Sequence, residues 1–418
     1  MKMSKIFKGD KTLWVVFLLL SIISLVGVYS SIGLEAYSHT NSGGPTSLFL
    51  RHLLIVLASW VVVVVCSKIN YRFFSRFAVL GLWVSIVLLA VTLMMGGRWL
   101  RIPVVNQFQP SEVAKIALVL FIARMLTLKK GQVAEKSTFF SLLAYIVLVV
   151  AFVLPENFST AALLFVACYL MLFFGGVDRR RWWAVLAILV VGAAIGLGVA
   201  VNRFKSSEES GKAEQPRKEQ QLIQRSSTWG HRLQTYFEDP DPTVITQENM
   251  ARMAIARGGV FGKGPGNTIY ARLMTQSHND FIYAIIIEET GLVGGVIVLV
   301  LYSFFFFRCM RLAWRSKGRF GALIVAGLGT MIYFQAMANM GVAVGVLPVT
   351  GQTLPFISYG GTAYLFLSLG LGIIQSVAAD VYAEPKKAAV GDVVGDTSDS
   401  DVPENEMQIT DDTDNNNE

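Results

Sequence analysis

Residues 277–291 read SHNDFIYAIIIEETG, an Asp at the head of an apolar run with two adjacent Glu residues eight and nine positions later. Carboxylates are scarce in hydrocarbon because each costs roughly 2.5–3.5 kcal/mol on insertion scales. How this run sits therefore decides how the chain is read. As one continuous helix rising 1.5 Å per residue, it puts Asp280 at the outer mouth of a span and Glu288 about 12 Å further in. Glu288 and Glu289, about 100° apart around that helix, then face the bundle interior or cap neighbouring groups. The separation argues against the carboxylate pair of a retaining glycosidase, which needs roughly 5–5.5 Å. Asp280 is thus expected to work at the surface, and the two Glu residues to serve structure or coupling.

The rest of the chain agrees that the run is a membrane span. Of 418 residues 53% are hydrophobic, and charge is spread unevenly. Apolar runs near the roughly 20 residues that cross a bilayer recur at 13–33, 49–66, 77–95, 111–128, 138–154, 159–176, 182–201, 281–307, 320–340 and 362–381. The fold class expected is all-α and polytopic, with ten transmembrane helices and a large extracytoplasmic loop between helices 7 and 8. The first run is long and lacks a cleavage box, so it reads as a retained span. On one side of the membrane the short segments carry 21 Lys/Arg, against Arg51, Arg98 and Arg101 on the other. The positive-inside rule then puts both termini in the cytoplasm.

The expected organisation is a cytoplasmic N-terminus (1–12), helices 1–7 (13–201), the outer loop (202–280), helices 8–10 (281–381) with an outer Pro/Gly loop at 341–361, and a tail (382–418). The outer loop carries eleven Lys/Arg, which suits an anionic ligand or anionic lipid heads but equally an ordinary solvated loop. From residue 384 the chain has eleven acidic and two basic residues, the composition of a disordered segment. No internal repeat supports an inverted-repeat transporter. Cys66, Cys168 and Cys309 lie far apart, and the four His residues form no ligand pair, so neither a disulfide framework nor a zinc site is expected.

Polar anomalies collect on the outer side. Gly96–Arg101 (GGRWLR) precedes Gln109–Lys115 (QPSEVAK), where Pro110 suits a first helical turn and Glu112 the positive end of the dipole. Lys115 lies one turn further on, on the face of Glu112, and reads either as a snorkelling lysine or as half of an ion pair lining a polar cavity. Pro155–Ala161 (PENFSTA) reads as a tight turn. The run 256–267 (ARGGVFGKGPGN) fits neither a P-loop nor a dinucleotide fingerprint, and a turn explains it more simply than a backbone cradle for pyrophosphate. The stretch 345–361 (GVLPVTGQTLPFISYGG) cannot be continuous helix, and such backbone is tolerated at membrane depth only inside protein or beside water. It reads as partly re-entrant.

Taken together these motifs resemble the SEDS family (shape, elongation, division and sporulation), which includes FtsW and RodA, over about residues 10–382. The resemblance rests on Arg98-Trp99 followed by QPSExxK, the glycine-rich loop, DFIxAIIxEExG from Asp280 to Gly291, and LPxTGxxLPFISYGG from Leu347 to Gly361. Two departures stand out: Asn279 where the family often has Thr, and PENFSTA where it has Pro-Asp-x-Gly-Thr-Ala. The resemblance implies a peptidoglycan glycosyltransferase that polymerises lipid II at the outer face of the cytoplasmic membrane, with Asp280 as the catalytic carboxylate. Substrate-binding candidates are Arg98, Arg101, Glu112, Lys115, Lys263, Arg272 and His278. Structural or coupling roles fall to Trp99, Glu288, Glu289, Pro348, Pro355, Ser358 and Gly360.

Arg232–Pro242 (RLQTYFEDPDP) and Gly262–Thr268 (GKGPGNT) are more similar to the division members of the family than to its elongation members. That implies a class B penicillin-binding protein, other division proteins and membrane lipids as partners, without nucleic acid. The resemblance implies no particular cofactor, and a divalent cation stays open. Elongation-type polymerisation and lipid II flipping are the alternatives.

Overall fold

A computed structural model describes residues 7–31, 44–95, 97, 99–100, 108–133, 135–192, 246–274 and 279–383. Most of the expected outer loop, the acidic tail from 384, and the candidates Arg98, Arg101 and His278 lie outside the described residues, as does the side chain of Arg272.

The apolar runs become helices: α1 (Lys11–Ser31), α2 (Gly44–Lys68), α3 (Tyr71–Met94), α4 (Pro110–Leu128), α5 (Lys136–Val153), α6 (Phe158–Phe174) and α7 (179–192). After the undescribed stretch come α8 (Gln247–Gly258), the single turn α9 (Tyr270–Leu273), α10 (Ile282–Arg315), α11 (Arg319–Ala343) and α12 (Gly361–Val381). Short polar side chains start several of them. Asn70 accepts from Arg72 N, Asn157 from Ser159 N and Thr160 N, and Pro110 opens α4, where a missing N–H is harmless. Among the described residues, α1, α2, α3, α5, α10, α11 and α12 are the seven helices long and apolar enough to cross a membrane. α11 and α12 are the most enclosed, whereas α2 and α10 turn most of their surface outward. This is a multi-pass helical membrane fold, and the outward apolar faces are what a lipid solvent requires.

At the end of the bundle where α1 begins, a polar clasp ties three helices. Asp10 is 1% exposed, caps α1 through Thr12 N (2.8 Å), and pairs with Arg308 of α10 at 2.6 Å. Its backbone amide donates to Gln375 of α12 at 2.8 Å, and Tyr382 donates to its carboxylate at 3.2 Å.

The largest departure from the sequence-based expectation is in α10. Gly291 lies at φ +74° and ψ −176°, so the helix is broken there. The Tyr283 hydroxyl donates to Gly295 O at 3.1 Å. On a straight helix these residues would be about 18 Å apart, beyond a tyrosine's reach. α10 is therefore two arms, 282–290 and 292–315, folded back at Gly291. The short arm runs alongside α1 in the same direction. A Cβ on Gly27 would lie 3.5 Å from Ile282 and 3.6 Å from Ile286, and Ser30, next to the last residue of α1, donates to Glu289. Glu288 and Glu289 thus emerge at the Ser31 end, and Asp280 lies at the inner root of the arm. The expected depths are reversed, because the straight helix that the apolar run predicts breaks at a glycine whose left-handed φ turns the chain. The helix expected over 281–307 is thus two arms, the second continuing to Arg315.

The glycine-rich stretch completes this reversal. Lys263 N and Gly264 N donate to Glu288 O (3.0 Å) and Glu289 O (2.8 Å), while Leu292 N and Val293 N donate to Gly259 O (2.9 Å) and Val260 O (3.3 Å). The last carbonyls of one arm and the first amides of the next are thereby satisfied by a single strap. A Cβ on Gly258, Gly262 or Gly291 would overlap the backbone oxygen of Ile287, Glu289 or Val260 respectively. Gly291→Ala combines that overlap with a left-handed φ that costs an L-residue roughly 1–2 kcal/mol. We predict a loss of about 2 kcal/mol or more, read as a lowered Tm in detergent; an unchanged Tm would contradict the hairpin.

Candidate active site

The polar groups of the bundle converge where the short arm of α10, the Pro/Gly segment 344–360 and α11 meet. The segment goes deep. Phe356 packs edge-on against Phe17 with ring centroids 5.3 Å apart, and Ile357 O accepts from Ser24 of α1 at 2.7 Å. Phe17 lies fourteen residues, or about 21 Å, back from the end of α1. Tyr302 of the long arm donates to Pro355 O. Phe356 adopts φ +61°, a left-handed conformation held by burial against Phe17 and Tyr364.

Asp280 is half-buried, and the backbone on both sides of its amide is pinned. Asn279 O accepts from Ser358 at 2.6 Å, and Asp280 O accepts from Asn339 of α11 at 2.8 Å. Asn339 also donates to Gln352 O at 2.7 Å. One turn along α11, Gln335 donates to Thr353 O at 3.0 Å and accepts from Lys115 at 3.1 Å. Lys115 pairs with Glu112 at 2.9 Å, with side chains only 3% and 8% exposed. Gln352 donates to Thr160 at 2.5 Å, and Thr92 donates to Glu156 at 2.6 Å, which brings the turn of residues 155–161 into the same region. Base candidate, buried cation and three motifs thus hang on two amide side chains of α11.

Of the remaining candidates, Pro355 and Ser358 are buried in the re-entrant segment, Pro348 is half-buried where it begins, and Gly360 caps α12. Trp99 is 45% exposed beside the antiparallel bridge of Leu100 with Phe108. Lys263 is exposed on the strap, where its backbone amide makes the bond to Glu288 O. Glu288 pairs with Arg257 at 2.5 Å and accepts from Thr268 and, at 3.0 Å, from Ile269 N. Glu289 accepts from Ser30 and, at 3.0 Å, from Gly266 N. Both carboxylates hold the strap. Gln335, Asn339, Gln352 and Thr160 escaped the sequence reading, although IYFQAMANM (332–340) sets two amides one turn apart on one face of an apolar helix.

Fold and site together define a helical membrane protein whose polar centre is built where the short arm of α10 and the irregular segment leading into α12 meet inside the bundle. A family described as "Cell cycle protein", comprising FtsW, RodA and SpoVE, matches residues 10–383. The chain belongs to this family, the SEDS family. It is 30% identical over 416 residues to the Enterococcus hirae protein named probable peptidoglycan glycosyltransferase FtsW, covering 91% of this chain and 96% of the relative. Among solved structures, a chain described under polymerization and crosslinking by a peptidoglycan synthase complex superposes with a TM-score of 0.69 at 24% identity, over 90% of this chain and 99% of that one. Thermus thermophilus RodA gives a TM-score of 0.61 at 22% identity, over 90% and 98%. These likenesses show that the fold is shared.

Breaking a buried ion pair leaves one charge uncompensated and costs about 3–5 kcal/mol. Exchanging the two residues (Glu112→Lys with Lys115→Glu) should therefore lower Tm less than Glu112→Ala or Lys115→Ala alone. It should still fall short of the parent, because Gln335 loses its lysine donor. Equal losses in all three variants would show that the pair is not the stabilising contact.

Proposed function

We propose that this protein is a peptidoglycan glycosyltransferase that polymerises lipid II at the outer face of the cytoplasmic membrane, with its Ser31 end outward, serving septal synthesis in cell division. Family membership and the FtsW relatives support the activity. The observation that carries the site is the pinning of Asp280 to α11 one turn from the Gln335–Lys115 contact. The proposed topology has ten spans, with α4, α6 and α7 added to the seven long apolar helices and the large loop before α10.

In the reaction, the 4-hydroxyl of a terminal GlcNAc attacks the anomeric carbon of the other glycan chain. The new C–O bond forms as the bond to the undecaprenyl pyrophosphate breaks. Asp280 takes the hydroxyl proton as general base, for which it must come within hydrogen-bond reach. The departing pyrophosphate carries the electron pair, and a fixed cation stabilises that charge most when it is aimed in advance. Among the described candidates Lys115 is the cation joined to the Asp280 network, so it takes this role, with Glu112 and Gln335 holding it in place. Glu288, Glu289 and Arg257 serve the strap instead of the chemistry. A class B penicillin-binding protein is the expected partner, since a structural relative belongs to a synthase complex.

Purified protein with that partner should extend labelled lipid II into glycan, while Asp280→Asn lowers the rate at least a hundredfold, the scale of general-base catalysis. Retained polymerisation by a folded Asp280→Asn protein would sink the assignment. Transfer of lipid II across vesicles without polymer would favour a flippase. Adding a chelator to the same assay reads any need for a divalent cation.

A further inference from the structure

Asn339 is 1% exposed, and the two groups beside its amide nitrogen are both backbone carbonyls, Asp280 O at 2.8 Å and Gln352 O at 2.7 Å. A carbonyl only accepts, so the nitrogen must face them and the side-chain oxygen must face away. Turning the amide over would lose both bonds. That oxygen, Oδ1, is buried and has no hydrogen-bond partner among the described residues, whereas both ends of Gln335, one turn away, are engaged. Four further buried oxygens in the region, Oε2 of Glu112, Oγ of Ser111, Oγ of Ser159 and Oδ1 of Asn279, likewise lack partners among the described residues. A buried acceptor without a donor is destabilising, and native proteins keep few of them. Here it belongs to the side chain whose nitrogen holds the main chain of the residue assigned as base.

Resting on the polymerase reading above, we propose that Asn339 binds substrate: Oδ1 accepts a hydrogen bond from a hydroxyl or amide N–H of the sugar that Asp280 deprotonates. One side chain then does two things. Its nitrogen fixes the main chain that carries the base, and its oxygen fixes the sugar presented to it. A GlcNAc ring offers donors of this kind in its hydroxyls and its acetamido N–H, and a site built to pair with one discriminates against a substrate lacking it.

The test measures lipid II binding to the full-length protein in nanodiscs, in an Asp280→Asn background that prevents turnover. Asn339→Leu, close in size and unable to accept, should weaken Kd about five- to tenfold, the worth of a neutral hydrogen bond. Lipid II analogues lacking one GlcNAc donor at a time (each hydroxyl as its deoxy form, the acetamido as an ester) should include one that binds about five- to tenfold more weakly to the parent but not to Asn339→Leu. Should Asn339→Leu fold poorly, the analogues still decide the matter on the parent protein, because uniform affinity across them overturns the proposal. Unchanged affinity in Asn339→Leu also overturns it. Failure of the polymerase reading would register separately, as no glycan formed by the parent protein with its partner, and failure of the base assignment as glycan formed by Asp280→Asn.

Discussion

An N–H or C=O group that leaves a helix where the protein itself covers it must find its partner within the protein, because bulk water does not reach it. The reversal at Gly291 creates that demand at one point, with two carbonyls at the end of one arm and two amides at the start of the next. The strap meets all four with its own backbone. That solution needs main chain against main chain at distances that exclude a Cβ, which accounts for Gly258, Gly262 and Gly291. Arg257 with Glu288, and Gly266 with Glu289, then hold the strap by charge and by a side-chain bond at the same end.

The second re-entrant segment obeys the same constraint by other means. Its irregular carbonyls are met by side chains: Gln335 takes Thr353 O, and Asn339 takes both Gln352 O and Asp280 O. Ser358 closes the arrangement with Asn279 O and the amide of Leu354. The left-handed Phe356 is a strained residue, of order 1–3 kcal/mol, tolerated because Phe17 and Tyr364 fix the ring on both sides. Satisfying the backbone at depth and assembling the candidate site are therefore one operation, performed by the same amides.

The sequence disclosed where the polar anomalies lie, and the Glu112–Lys115 pair forms at the i,i+3 spacing that announced it. Depth was not legible. Period and hydropathy treat DFIYAIIIEETG as the start of a span, and only the φ of Gly291, which a glycine permits without requiring, turns Asp280 inward and Glu289 outward. The strap shows the same limit, since a run of glycines announces close backbone approach without naming what approaches. Gln335 and Asn339 are hidden for a different reason. Uncharged amides barely disturb a hydropathy profile, whereas carboxylates and cations do.

The geometry also bears on why a single helix should carry the contacts to both base and cation. Positioning catalysis gains most when reacting groups are held at a fixed separation before substrate arrives. Asp280 and Lys115 come from distant parts of the chain, and neither α4 nor the short arm of α10 alone could set the interval between them. Asn339 and Gln335 do so because they sit one turn apart on α11, a spacing of about 6 Å along the axis that a rigid helix keeps. α11 is enclosed by its neighbours, so its position is over-determined by packing. In the proposed reaction, a proton acceptor at one end of that interval and a cation at the other would match the proton leaving the hydroxyl and the electron pair leaving with pyrophosphate. Enclosure in the bundle strengthens both interactions, because a preorganised charge in a site of low dielectric needs no reorganisation as the bond breaks.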